Sequence, residues 1–180
     1  LMGKVYVRKV LTKKDLNSFV KFPLALYSRN EQFVPEMSND VRNSFNPEKN
    51  HGLEFSEVQA FIAEREGKVV GRIAGIINKS ANRKWNTSVV RFGYIDFVDD
   101  QEVSKALLDT VAEWGRERGM TEIQGPMGIT DFDKEGNTHD KKTTFALHCF
   151  PSAGSLYAAN ASFFLILAAF PALLLLLGLL

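Results

Sequence analysis

The distribution of apolar residues predicts a mixed α/β layer architecture. Three observations carry it. Strand-type alternation recurs in five short segments, and apolar residues at helical spacing mark three others. Their order along the chain is strand, helix, helix, three strands, helix, strand. The length of 180 residues suits one ordinary domain with a real core and is short for two of average size.

The first strand is expected over Lys4 to Val10, which alternates and is rich in β-branched and aromatic residues. Thr12-Lys-Lys-Asp15 follows and fits a capping box, in which the Thr hydroxyl satisfies an orphan N–H and Asp15 complements the helix dipole. Leu16, Phe19 and Val20 share one face of the helix that follows. Pro23 is expected to kink or divide this helix rather than end it, since Leu24, Leu26 and Tyr27 continue the pattern. Pro35 to Phe45 suggests a second short helix, and Asn46-Pro-Glu-Lys-Asn-His-Gly52 is turn chemistry. Strands over Ser56 to Glu64 and Lys68 to Ile77 meet at Glu66-Gly67, where glycine supplies the positive φ of a tight hairpin. Asn78 to Trp85 reads as a basic loop, and a further strand covers about Val89 to Val98. Gln101 to Arg118 is the clearest helix, with Val103, Ala106, Leu107, Val111 and Trp114 as its core-facing stripe. Asp99 or Asp100 caps it, Glu102 suits the first turn, Arg116 and Arg118 suit the last, and Gly119 follows as its stop. Thr121 to Gln124 is a short strand leading into Gly125-Pro-Met-Gly128.

Charge divides the chain. All 22 Lys and Arg and all 21 Asp and Glu lie between Lys4 and Lys142. The net charge of +1 weighs against a dedicated nucleic-acid binder. A single cysteine, Cys149, excludes an intramolecular disulfide framework and a Cys-only zinc site. No residue after Lys142 is charged, and the chain closes on a leucine-rich run. Two readings of that tail compete. In one, residues 163–180 form a transmembrane helix of about 27 Å with Lys134, Lys141 and Lys142 on the cytoplasmic side, which anchors the protein. In the other, the reading frame shifts after about Gly136, and the expected location is cytoplasmic.

Residues Gly67 to Gly75 and Ala106 to Met120 resemble segments of the GNAT superfamily of acyl-CoA-dependent N-acetyltransferases. Gly67-Lys-Val-Val-Gly-Arg-Ile-Ala-Gly75 resembles the hairpin strand that crosses the centre of that family's sheet. Ala106-Leu-Leu-Asp-Thr-Val-Ala-Glu-Trp-Gly-Arg-Glu-Arg-Gly-Met120 resembles the helix and exit turn after its cofactor loop. Phe92-Gly-Tyr-Ile-Asp-Phe-Val-Asp-Asp100 and Gly125-Pro-Met-Gly128 are similar to a bacterial subgroup of acetyltransferase-like proteins that carry a second acetyltransferase-like half. The resemblance implies a GNAT-like mixed twisted sheet with helices on both faces, incomplete at its C-terminus. The domain would span residues 1–136, with residues 137–180 as an apolar tail. It also implies an acyl-CoA-dependent acyltransferase acting on a small-molecule or peptide amine. The alternatives are a non-catalytic structural or binding half, and a tail-anchored protein with this fold as its head.

The resemblance carries site residues with it. Asp96 lies on the strand that holds the family's general base, and Tyr94 is the candidate proton donor. On simple alternation both share a face with Phe92 and Val98. Phe97 and Val98 would offer strand backbone to the pantetheine arm of acetyl-CoA or another acyl-CoA by β-augmentation, and Val103 and Ser104 are the remnant of the pyrophosphate loop. In that loop Asp99 stands at the basic or amide position and Glu102 at the first glycine, with only Ser104 still small. With Asp100, three carboxylates surround the place of a doubly charged pyrophosphate. Each like-charge contact at about 4 Å costs roughly 1 kcal/mol in water and several times more in a partly buried site. The expectation is that this segment does not bind acyl-CoA in the ordinary way, and that the acids cap their own helix.

The remaining candidates are weaker. Arg72 and Arg91 suit a carboxylate or phosphate, against a solvated strand face. Lys79, Arg83, Lys84 and Trp85 suit nucleic acid, against a solvated connection. His139, His148 and Cys149 match no zinc spacing, so no metal is expected. Asp131, Asp133 and Glu135 lack the downstream bidentate Glu of a calcium loop.

Overall fold

A computed structural model describes residues 3–129. The readings of the tail, and of Asp131, Asp133, Glu135, His139, His148 and Cys149, lie outside the described residues. Among the described residues no helix is long and apolar enough to cross a membrane, and no group of three metal-capable side chains assembles.

The elements follow the expected order with one addition. They are β1 (Tyr6–Lys9), α1 (Lys13–Leu26), α2 (Ser38–Ser44), a 3-10 turn (His51–Glu54), β2 (Ser56–Arg65), β3 (Lys68–Asn78), α3 (Lys79–Trp85), β4 (Val89–Phe97), α4 (Gln101–Arg116) and β5 (Glu122–Gln124). The addition is α3, which replaces the expected loop. Its start was written in the sequence, because Asn78 is the N-cap and its side chain accepts the Ala81 N–H at 2.8 Å. The five strands lie side by side in chain order, antiparallel except for the parallel pair β4 and β5.

The capping box at α1 is complete. The Thr12 hydroxyl accepts the Asp15 N–H at 3.1 Å, and the Asp15 carboxylate accepts the Thr12 N–H at 3.0 Å. Arg8 adds an ion pair to Asp15 at 2.8 Å and so ties β1 to the helix. The helix runs unbroken through Pro23, which neither ends nor divides it. The turn between β2 and β3 has positive φ at both Glu66 (52°) and Gly67 (74°), the geometry that matches strand twist.

Side chains alternate between two cores. On one face Val103, Leu107, Val111 and Trp114 of α4 cover Phe61, Ile73, Val90, Phe92 and Ile123 of the sheet. On the other, Phe19 and Val20 of α1 and Val41 of α2 cover Ala60, Ile62 and Ala74. Each large side chain that α4 buries contributes about 1.5–3 kcal/mol. Helices thus cover both faces of the described sheet, as the resemblance implied.

Close packing of α4 depends on Gly115, where a Cβ would lie 2.6 Å from Val90 Cγ1. Gly115→Ala would gain about 1 kcal/mol of helix propensity, but it must displace a stiff β-branched side chain. The expected net effect is destabilisation by about 1–3 kcal/mol, measured by urea unfolding.

Candidate functional site

β4 is the strand on which the site is built. Its ladder with β5 covers three residues, Val89 to Arg91 against Glu122 to Gln124. The Met127 N–H then bonds the Phe92 carbonyl at 2.8 Å, and a Cβ on Gly93 would run into the Met127 carbonyl oxygen. Beyond Gly93, β4 continues to Phe97, while β5 has ended at Gln124. The regular ladder between these two parallel strands thus stops at Arg91 and Gln124.

Just past this ladder β4 carries a bulge that sequence reading missed. Arg72 faces Asp96 and Ala74 faces Gly93, so two residues, Tyr94 and Ile95, stand opposite Ile73 alone. Tyr94 has φ of 50°, a left-handed conformation that costs a non-glycine residue on the order of 1–3 kcal/mol. The bulge also corrects the expected alternation. Phe92 and Val98 pack with the α4-side core, whereas Tyr94 joins the α1-side core against Phe19 and Phe45.

Asp96 is buried and lies on the α1 side. Its carboxylate accepts from Arg72 Nε at 2.7 Å and from the Tyr27 hydroxyl at 2.9 Å. Arg72 is not on a solvated face. It is buried, its guanidinium lies over the rings of Phe19 and Tyr94, and its Nη1 donates to the Phe19 carbonyl at 3.2 Å. That carbonyl stands four residues before Pro23, which has no N–H to offer it. The proline thus leaves an acceptor inside α1, and Arg72 fills it. Burial, then the Asp96 charge, holds the Tyr27 phenol well above its usual range, so it remains a donor. Arg91 is half-buried opposite Gln124.

The start of α4 is occupied by the chain itself. Asp100 is the N-cap, and its Oδ1 accepts the Glu102 N–H at 2.8 Å. Its Oδ2 accepts from Arg65 Nη1 at 2.6 Å, and Arg65 Nη2 pairs with Glu102 at 2.8 Å. The Ser104 N–H bonds the Asp100 carbonyl, and the buried Ser104 hydroxyl donates to the Gln101 carbonyl. Val103 is fully buried in the α4-side core. Both backbone groups of Val98 are engaged internally, its N–H by Val70 and its carbonyl by Asp100, while half-buried Phe97 sits opposite Gly71. Asp99 is exposed. Asp100 thus takes up the Glu102 and Ser104 N–H groups of this helix start, and the carboxylates of Asp100 and Glu102 stand beside it.

A shallow groove opens on the α1 side. Val20 and Leu24 of α1, Phe33, Val34 and Glu36 of the following loop, and Arg72 line it. Val34 is 77% exposed, an apolar side chain presented to solvent beside a carboxylate. Tyr27 stacks on Phe33 at 4.8 Å and connects this loop to Asp96.

No family model matches the chain. A tandem GNAT protein from the clavulanic acid biosynthesis pathway superposes with a TM-score of 0.50 at 14% identity, over 67% of this chain and 36% of that one. The described residues therefore have the fold of the GNAT acetyltransferases. Among curated proteins, the chain is 30% identical to protein YghO of Escherichia coli (strain K12) over 154 residues, 86% of this chain and 39% of that protein. It is 27% identical to the bacterial ceramide synthase of Caulobacter vibrioides over 128 residues, 71% of this chain and 33% of that protein. The chain thus spans well under half the length of the curated relatives it matches.

Two outcomes follow from the site. Asp96→Ala strands the buried Arg72 charge and should cost about 3–5 kcal/mol in urea unfolding, most of it recovered when Arg72→Met is added. Asp100 is held below the usual carboxylate range, first by Arg65 and then by the Glu102 N–H. Its ionised form contributes stability that is complete above the unfolded carboxylate range, about pH 4, and is lost as pH falls through the lower folded value. Asp100→Asn should therefore flatten the acid side of the stability profile, measured as urea midpoints at several pH values from neutral down to about 3.

Proposed function

We propose that this chain is an acetyltransferase-like segment of a longer N-acyltransferase that acts on an amine with an apolar body, and that it supplies scaffold and acceptor surface rather than the seat of acyl-CoA. The observation that carries this reading is the Asp100 carboxylate capping α4 under Arg65. An aspartate already placed at the positive end of the helix, and neutralised by the nearest arginine, leaves nothing there to attract a donor's phosphates. The acyl donor is then received by parts of the longer protein outside residues 3–129.

The acceptor class is supported by two observations. A ceramide is the amide of a long-chain amino alcohol, and a ceramide synthase is among the relatives. The groove beside α1 offers Leu24, Phe33 and Val34 to a hydrocarbon chain and Glu36 to an ammonium group. In this reading Asp96 is the counter-ion of Arg72, with Tyr27 closing its second oxygen. Tyr94, held by the bulge, packs against Phe19 and Phe45 on the α1 side.

Thermal melting of the chain with 1 mM CoA or acetyl-CoA should show no shift. A dissociation constant tighter than about 100 μM would raise stability by over about 1 kcal/mol and end the scaffold reading. Octylamine should raise the melting temperature more than octanol does, and Glu36→Gln should abolish the difference. Equal responses to amine and alcohol would remove the acceptor assignment.

A further inference from the structure

At the end of the sheet where β2 begins, α3 forms a cationic surface that the acyltransferase reading does not use. Lys79, Arg83, Lys84 and Trp85 are all exposed, and Trp85 is 67% exposed. Lys84 lies over the Trp85 ring at 4.9 Å. Glu57 reaches Lys79 at 4.0 Å but is also shared with Arg118. Neither Arg83 nor Lys84 has a carboxylate partner among the described residues. Phe55, 38% exposed, adjoins the start of α3 through the bond from the Lys79 N–H to its carbonyl at 2.9 Å. An exposed indole with Lys84 over its ring and Arg83 beside it in the chain is the chemistry of an anionic lipid interface: the ring enters the headgroup layer and the cations meet the phosphates.

We propose that α3 docks this protein on anionic phospholipid bilayers, with Trp85 in the headgroup region and Arg83 and Lys84 against lipid phosphates. A lipid surface is favoured over nucleic acid because a stacking platform for single strands needs several aromatics along a basic groove, and α3 carries only Trp85. The same chain also carries the uncharged, leucine-rich run at 163–180, so α3 would act as the electrostatic partner of a second apolar signal. The proposal is independent of whether the segment takes part in acyl transfer.

The chain has two tryptophans, and Trp114 is 3% exposed, so emission changes on docking report on Trp85. The full chain is mixed with vesicles of phosphatidylcholine alone or with 30 mol% phosphatidylglycerol. Emission should shift to the blue with the anionic vesicles only, reverse in 0.5 M salt, and be lost in Trp85→Phe. Arg83→Glu with Lys84→Glu should weaken partitioning into anionic vesicles by more than about 25-fold, since each cation near such a surface is worth about fivefold. Any contribution of the leucine-rich run is common to both vesicle types and to all variants. An unchanged Trp85 emission with anionic vesicles, the same shift with phosphatidylcholine alone, or a shift produced by a single-stranded oligonucleotide in place of vesicles would each overturn the proposal.

Discussion

The buried ion pair of Arg72 and Asp96 holds together elements that would otherwise meet only through apolar contacts. Arg72 comes from β3, Asp96 from β4, and the guanidinium also reaches the Phe19 carbonyl inside α1. Tyr27, just past the end of α1, closes the remaining carboxylate oxygen. Two charges leave water for this arrangement, and the desolvation is tolerable only because nearly every donor and acceptor finds a partner. The proline in α1 is part of the same arrangement. A helix carbonyl without its N–H would be a defect when buried, and here it accepts from the buried Arg72 guanidinium instead. The bulge at Tyr94 is equally bound up with it, because the extra residue puts Asp96 opposite Arg72 while Phe92 remains in the other core.

The start of α4 shows the same economy applied to an exposed site. A helix of this length needs its first N–H groups satisfied. Asp100 meets it internally. Arg65, standing just before the β2–β3 turn, then fastens the hairpin to the helix through two carboxylates. One set of backbone donors at a helix start can serve a bound anion or a capping side chain, and Asp100 puts it to the second use.

What was legible in the residues depended on distance along the chain. The capping box of Thr12 and Asp15, the Glu66-Gly67 turn and the apolar stripe of α4 all rest on neighbours within one or two turns, and each was found as read. Asn78 was a local signal too, an N-cap hidden because Lys79, Arg83 and Lys84 made the segment look like a solvated loop. The decisive contacts of the site were not local. Arg72 and Asp96 are 24 residues apart, Arg65 and Asp100 are 35 apart, and Tyr27 and Asp96 are 69 apart. No periodicity connects such pairs. The bulge was also silent, since a strand with one extra residue has the same composition as one without it, and a tyrosine gives no hint of positive φ.

One property of the sheet bears on how the protein comes into being. Each strand lies next to the strand that precedes it in the chain. On a ribosome, every strand from β2 onward would emerge with its partner already made, and the tight β2–β3 hairpin is the cheapest ladder to close. Among the described strands, β5 emerges last, after α4 has crossed over to bring it parallel to β4, and it brings just three ladder positions. Assembly order and residence order therefore coincide among the described strands, and the seam that closes last is the short parallel one.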